Sequence, residues 1–136
     1  MKRRELLRVL WALPARLASG AAALLRGKLG RDAAGRPVLE TAGRKIRLEA
    51  DEDTRKVLGD ARLAGYELEL EGEPEGPDAF RVGPFYRKSL RVLRGGKKFL
   101  VSYWCDVCSI RSYTPGLCVC CQQETELDLV ALENEP

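Results

Sequence analysis

The chain of 136 residues has no histidine, and this absence excludes several kinds of site. Ser-His-Asp and Cys-His nucleophiles, His-ligated catalytic zinc and His-ligated haem all need an imidazole. Long apolar runs are also lacking. The longest, Val9 to Leu25, is interrupted by Pro14 and Arg16, which makes it weak for a bilayer-spanning helix. With 45% hydrophobic and 32% charged residues, the composition is that of about one soluble globular domain.

Charge divides the chain into a basic arm and an acidic body. Residues 1–47 hold 12 Lys/Arg and 3 Asp/Glu, a net charge of +9, whereas residues 48–136 hold 11 and 17, a net charge of −6. Such asymmetry predicts that the arm meets an anionic partner, either a membrane surface or a nucleic acid. A solvated basic tail is the alternative.

The N-terminus carries an arginine pair followed by an apolar stretch. Arg3 and Arg4 precede the stretch Val9 to Leu25, and small residues at 18–23 offer a cleavage site. This arrangement resembles a twin-arginine export signal, although Leu6 stands where that pattern usually has phenylalanine. The resemblance implies a location in the cell envelope or periplasm; without a true signal, the protein would be cytoplasmic or peripheral at the inner membrane.

The same segment also has the spacing of an amphipathic helix. Leu6, Leu10, Leu13 and Leu17 recur on one helical face, with arginines largely on another. That pattern fits an interfacial helix on a membrane, or a helix that docks in a complex or on the body of the protein. On these interpretations a protein partner or a membrane surface contacts residues 1–28.

Glycines and charges after this segment predict a flexible linker over residues 26–36. The predicted division is therefore an N-terminal helix or export signal with its linker, residues 1–36, followed by a single domain, residues 37–136.

The domain is predicted to be mainly β. Alternating patterns favour strands over residues 38–41, 44–49, 66–71, 80–82, 89–94 and 98–104. Ala42-Gly43 and Gly95-Gly96 favour tight hairpin turns. One short helix is expected, capped by Asp51 or Asp53 and ended by Gly59. The pattern is similar to an oligonucleotide/oligosaccharide-binding (OB) fold, a small antiparallel barrel, with a rolled open sheet as the alternative.

Within this domain, Glu67, Glu69 and Glu71 alternate along one predicted strand. They are expected to give one face of that strand a negative charge, which argues against a nucleic-acid groove there, or to form a solvated outer face.

The five cysteines all fall within Cys105–Cys121 and make the strongest motif of the chain. Cys105/Cys108 and Cys118/Cys121 are two Cys-x-x-Cys pairs, a spacing that lets each pair point two sulfurs at one ion. Pro115-Gly116 favours a turn that folds one pair onto the other. The segment 103–124 resembles a zinc ribbon with a short spacer. The expected ligands are Cys105, Cys108, Cys118 and Cys121, with Cys120 as a possible substitute for Cys121.

Zn²⁺ is the predicted metal, and the alternatives are an iron–sulfur cluster, copper or another soft metal, and disulfides. Four protein ligands leave no open position for water, so the site is expected to be structural and no catalytic residue is predicted. Residues 126–129 alternate and are expected to return as a strand against residues 98–104.

The favoured function is a non-enzymatic, zinc-stabilised β-barrel module of the bacterial envelope that binds a partner protein or a small ligand. The whole pattern is similar to that of small bacterial proteins with this layout, a resemblance that implies no particular activity. One alternative is a cytoplasmic nucleic-acid-binding zinc module, with the basic arm on the phosphates. Another is an accessory subunit of a larger membrane complex, docked through residues 1–25.

Overall fold

A computed structural model describes residues 22–134 of the protein. The predicted export signal or helix over residues 1–21 lies outside this part. The described chain forms nine strands in one continuous sheet: β1 (Ala23–Arg31), β2 (Pro37–Thr41), β3 (Arg44–Glu49), β4 (Glu67–Pro74), β5 (Ala79–Val82), β6 (Leu90–Arg94), β7 (Lys97–Cys105), β8 (Ile110–Ser112) and β9 (Glu126–Ala131). Two short helices are α1 (Glu52–Leu58) and α2 (Tyr86–Ser89), with 3₁₀ turns at Ala61–Leu63 and Leu132–Asn134.

The first five strands close into a barrel. β1 pairs with β2, β2 with β3, β3 with β5, β5 with β4, and β4 returns to β1. All these pairs are antiparallel except β3 with β5, which is parallel. The five-stranded ring, with a helix between its third and fourth strands, confirms the predicted OB-like barrel.

The helix between β3 and β4 packs its buried side chains into the core. It begins at Asp51, whose carboxylate accepts a hydrogen bond from the backbone N–H of Thr54 at 2.8 Å, and Gly59 follows its last turn, as predicted. Val57 and Leu58 are fully buried, as is Leu63 in the next turn. The helix is therefore held by its packing into the core rather than by its length of two turns.

Both predicted hairpin turns are present. The paired residues have positive φ in each case, 49° and 76° at Ala42-Gly43 and 58° and 76° at Gly95-Gly96. Two-residue turns with this geometry match the right-handed twist of the strands they join.

The prediction of a linker over residues 26–36 is wrong for its first half, because residues 26–31 belong to β1, which ends at Arg31. Leu29 is only 1% exposed, and β1 contributes to both seams that close the ring. A Cβ on Gly27 would lie 2.5 Å from the carbonyl oxygen of Glu40. Glycine therefore permits a close approach of two strands here, and this role looks the same in sequence as loop flexibility.

The fourth strand is also longer than its predicted end at residue 71, and it reaches Pro74. A Cβ on Gly72 would lie 2.0 Å from the carbonyl oxygen of Arg81, so this glycine lets β5 pass close to β4. On the same strand, Glu67 and Glu71 are exposed but Glu69 is buried. Its carboxylate accepts hydrogen bonds from Arg26 at 2.7 Å and Lys98 at 3.0 Å.

The remaining strands extend the sheet away from the ring. β6 pairs with β4, and β7 pairs with β6, β8 and β9. The predicted return of residues 126–129 is confirmed, since β9 lies along β7 from Phe99↔Ala131 to Trp104↔Glu126. Leu100, Val101 and Tyr103 of β7 are fully buried, so this strand belongs to the core as well as to the extension. Among residues 22–134, no helix has the length and apolar character needed to cross a bilayer.

Candidate metal centre

The first cysteine pair lies where β7 turns back into β8. Cys105 is the last residue of β7 and pairs with Ile110, the first residue of β8. The four residues between them form a tight turn that contains Cys108, and Ser109 in this turn has φ 54°. The ladder between β7 and β8 thereby fixes the position of both sulfurs.

The second pair lies in a compact turn of its own. Leu117 and Glu124 form an isolated β-bridge, and Cys118 is the first residue inside it. The backbone N–H of Cys118 donates to the carbonyl of Gln123 at 2.7 Å, and that of Gln122 donates to the carbonyl of Cys118 at 2.9 Å. These bonds close a loop around Cys121.

The two turns bring four thiols to one point. The Sγ atoms of Cys105, Cys108, Cys118 and Cys121 all lie within 4.8 Å of one another, and those of Cys105 and Cys121 are 3.5 Å apart. A tetrahedral zinc with Zn–S bonds of about 2.3 Å needs its sulfurs about 3.8 Å apart. The spacing suits one ion, and all five cysteines are free thiols in this structure.

Backbone N–H groups donate to two of these sulfurs, both of which are buried. Cys105 is 3% exposed and accepts from the backbone N–H of Cys108, and Cys118 is 4% exposed and accepts from that of Cys120, both at 3.4 Å. Hydrogen bonds to a charged group stabilise its charged form. Accordingly, the backbone N–H groups of Cys121 and Cys120 lower the pKa of the Cys118 thiol to about 7.

The crowding of thiols acts in the opposite direction on the first pair. Hydrogen bonding with the Cys120 thiol, together with burial and the thiols of Cys121 and Cys118, raises the pKa of Cys108 above its ordinary value of 9.0. At Cys105 the N–H of Cys108 lowers the pKa, but burial and the neighbouring thiols outweigh it. Several thiolates can therefore share this space only with a compensating cation.

The fifth cysteine lies at the edge of this group, where its thiol reaches only that of Cys108. Cys120 is exposed, and its sulfur is not among the four that share the 4.8 Å limit. The sequence left open whether Cys120 or Cys121 accompanies the other three thiols. The fold brings Cys121 to them, since its sulfur lies 3.5 Å from that of Cys105 and within 4.8 Å of the other two.

The loop that carries the second pair is tied to the barrel. Thr125 donates from Oγ1 to the carbonyl of Gly116 at 2.9 Å, which closes the base of the loop. Arg62, in the turn after α1, donates from Nη1 to the carbonyl of Thr125 at 2.8 Å. Its guanidinium also lies 5.3 Å from the ring centre of Tyr103, and Asp60 holds it in place. No sequence pattern indicated Arg62, because its partners are distant along the chain.

A second arginine ties the strands around the first pair. Arg111 of β8 donates from Nη1 to Ser102 Oγ at 2.6 Å and to Asp128 Oδ2 at 2.7 Å. It thus joins β8, β7 and β9, and its guanidinium lies 5.1 Å from the ring centre of Trp104.

Taken together, the four thiols form a cluster that can hold a metal ion at the junction of β7 with two short loops. Comparison of the chain with models of protein families, with curated proteins and with solved structures finds no match.

Proposed function

We propose that the protein is a non-enzymatic binding module of the bacterial envelope, stabilised by a structural zinc ion on Cys105, Cys108, Cys118 and Cys121. The observation that carries the proposal is the convergence of these four thiols within 4.8 Å. Thiols that meet from two separate loops, with backbone donors aimed at two of them, are arranged as ligands rather than as independent core residues.

Zinc is favoured over the other soft-metal chemistries by size and geometry. Four sulfurs this close surround a single ion, whereas a multi-iron cluster needs its thiolates spread around several metal atoms. A four-thiolate tetrahedron is typical of structural zinc. Since all four positions are filled by protein, none is left for a substrate or an activated water, and this supports a structural role.

The energetic weight of such a site is comparable with the stability of the whole domain. Four-thiolate zinc contributes an apparent free energy of folding of roughly 10–16 kcal/mol at neutral pH. The net free energy of unfolding of a small domain is roughly 5–15 kcal/mol. The segment from Cys105 to Thr125 contains only one strand, of three residues, so an ion is what would hold it folded.

The envelope location rests on the twin-arginine-like N-terminus alone. That export route carries folded proteins, so a zinc site loaded beforehand would be a reason to use it. The module would then bind a partner protein or a small ligand outside the cytoplasm.

Metal analysis combined with intact mass measurement of the purified natural protein tests this proposal. We expect one zinc per chain, five thiols that react with iodoacetamide after denaturation, and a mass that shows cleavage near Ala23. Disulfides, or iron in place of zinc, would overturn the zinc assignment. An intact N-terminus with co-purifying membrane proteins would favour the accessory-subunit alternative, and salt-sensitive RNA or DNA binding would favour the nucleic-acid alternative.

Two matched variants test the ligand set. Cys105→Ser is expected to abolish stoichiometric zinc, whereas Cys120→Ser is expected to retain it, although both remove one thiol from the same short segment. Equal loss of zinc in both variants would contradict the proposed set.

A further inference from the structure

The end of the molecule that carries the cysteine loops also exposes apolar side chains. Val119, Val107 and Leu117 are 85%, 68% and 61% exposed, and Ile110 lies beside them on β8. Exposed apolar residues are ordinary when they are scattered singly, but a concentration of them marks an interaction site. Four of the six large apolar side chains exposed in residues 22–134 belong to this short region.

Phe85 is a further exposed apolar side chain, on the barrel. It is 73% exposed and has φ 61°, a left-handed backbone conformation that is a true outlier for a bulky residue. Together with Tyr113, which lies between β8 and the second cysteine pair, it lines a cavity of about 190 Å³. We call the surface formed by Pro84, Phe85, Tyr113, Val107, Leu117 and Val119 the apolar track.

The chain enters the described fold at this same end. Ala23, the first residue of β1, pairs with Gly72 near the C-terminal end of β4. The sheet continues from β4 through β6 to β7, and β7 ends at Cys105 near the same end of β4. In the strand order β1-β4-β6-β7, the start of β1 and the end of β7 are three strand spacings apart across the sheet, about 14 Å. Ala22 and Pro84 line one cavity, so the start of β1 adjoins the near end of the apolar track.

The surroundings of the track are acidic. Asp51 and Asp53 line the cavity beside Phe85, and Glu71 and Glu73 line the one beside Ala22. The two cations of these cavities are already engaged: Arg81 is paired with Glu75, and Arg87 stacks on Tyr113 at 3.7 Å from its ring centre. Four carboxylates thus stand against two arginines in these cavities, and the excess favours an occupant that combines apolar side chains with basic ones.

We propose that the apolar track is a docking surface for residues 1–21 of the same chain. This segment has the matching chemistry, since leucines recur at helical spacing and five basic residues accompany them: Lys2, Arg3, Arg4, Arg8 and Arg16. Its reach is sufficient, because 20 residues span about 30 Å even as a helix. A short covalent tether also gives the segment an effective concentration in the millimolar range, so that modest contacts are enough.

The inference concerns the full chain before any processing. It goes beyond the proposed function and depends neither on the identity of the metal nor on export. If the segment is later removed, as the proposed function holds, its departure uncovers the apolar track for an external partner.

The two tryptophans of the chain provide a direct test. Trp104→Phe leaves Trp11, within the segment, as the only indole. In the unprocessed, metal-replete chain at micromolar concentration, we expect Trp11 to emit at the short wavelengths of a buried indole and to resist quenching by acrylamide. Emission typical of a water-exposed indole in the free protein would overturn the proposal. The proposal would also be overturned if Trp11 emission shifted to shorter wavelengths only after phosphatidylglycerol vesicles were added.

Substitutions on the track identify the contact. Phe85→Ser and Val119→Ser are each expected to increase quenching of Trp11 at least twofold while the zinc content stays unchanged. Lys45→Ser, on the β2–β3 hairpin and off the track, is the control. Protection of Trp11 that persists in both track variants would contradict the proposal. Protection that disappears on dilution would also contradict it, because it would indicate contact with a second copy of the chain.

A charge reversal tests the acidic flank. Asp53 and Glu52 are neighbours in the first turn of α1, but only Asp53 lines the cavity beside Phe85. Asp53→Lys is expected to expose Trp11 more than Glu52→Lys does, although Glu52→Lys costs the helix the same favourable first-turn charge and also the ion pair with Lys56. Equal effects would argue against a basic segment at this position. Zinc retention in every variant separates a failure here from a failure of the metal proposal.

Discussion

Arg62 hydrogen-bonds to the carbonyl of Thr125 at 2.8 Å and so joins the turn after α1 to the loop that carries the second cysteine pair. The two residues are 63 positions apart in the chain. A single side chain from the barrel thus holds the base of the cysteine loop, and Asp60 keeps its guanidinium in position through two hydrogen bonds at 3.0 Å.

Arg62→Ala is expected to lower the free energy of unfolding by about 2 kcal/mol, because a charge-assisted hydrogen bond is lost and Asp60, which is 6% exposed, keeps no cationic partner. Urea denaturation measures the change. We also expect faster transfer of zinc to a chelator, whereas Arg55→Ala, on the exposed face of α1, should change neither quantity. Unaltered stability in Arg62→Ala would show that the loop is held without this contact.

Removal of the metal is expected to loosen the cysteine loops and leave the barrel folded. The ring of five strands shares one buried core with α1, β6 and β7, whereas the loops between Cys105 and Thr125 have few buried apolar groups. Treatment with a chelator under reducing conditions, followed by hydrogen exchange, should show rapid exchange over residues 105–125 and continued protection of β1–β5. Collapse of protection throughout the chain would mean that the barrel depends on the ion as well.

Glu69 makes stability depend on pH. Burial raises the pKa of its carboxyl, but the hydrogen bonds from Lys98 and Arg26 outweigh burial and hold it below the ordinary 4.5. The contribution of Glu69 is therefore fully present above pH 4.5 and is lost as the pH falls through the lower value of the folded state. Glu69→Gln should cost about 2 kcal/mol at pH 7 and progressively less in acid.

Chemical denaturation at a series of pH values measures this dependence. Glu67→Gln, on the same strand but exposed, is the matched control and should be near neutral throughout. A penalty for Glu69→Gln that stays constant into the acid range would indicate lost packing rather than lost charge pairing.

Replacement by alanine is expected to change the stability of the protein differently at two glycines on barrel strands. A Cβ on Gly72 would lie 2.0 Å from a backbone oxygen of β5, whereas one on Gly30 would meet the flexible Glu40 side chain at 3.3 Å. We expect Gly72→Ala to destabilise the protein by about 1–3 kcal/mol and Gly30→Ala to have little effect. Thermal unfolding distinguishes them, and similar midpoints would refute the close strand approach at Gly72.

Strand alternation and turn chemistry were sufficient to predict most of the barrel. Ile46 and Leu48 alternate with charges, and Gly95-Gly96 tolerates the positive φ of a two-residue hairpin turn, so these elements follow from local rules. Burial of Glu69 could not be predicted, because its partners come from β1 and β7. The linker prediction over residues 26–36 was wrong because Gly27 serves a strand contact that no local pattern reveals.

For the candidate site, too, the sequence predicts the local features and misses those that depend on distant residues. Cys-x-x-Cys spacing was enough to predict two pairs, since the geometry within each pair is local. The choice between Cys120 and Cys121 depends on the conformation of the loop closed by the bridge between Leu117 and Glu124, which the spacing alone does not fix. The support from Arg62 and Arg111 joins elements that are distant in sequence, so no spacing rule indicated it.

The position of the thiols after the ring in the chain has a consequence for biosynthesis. All five barrel strands are complete at Val82, whereas the first cysteine is residue 105. Every residue of the ring is therefore made before the first ligand, and a metal ion can bind only after the ring segments have been synthesised. The cysteine segment is then both made later than the ring and the first part to come apart when the ion is withdrawn.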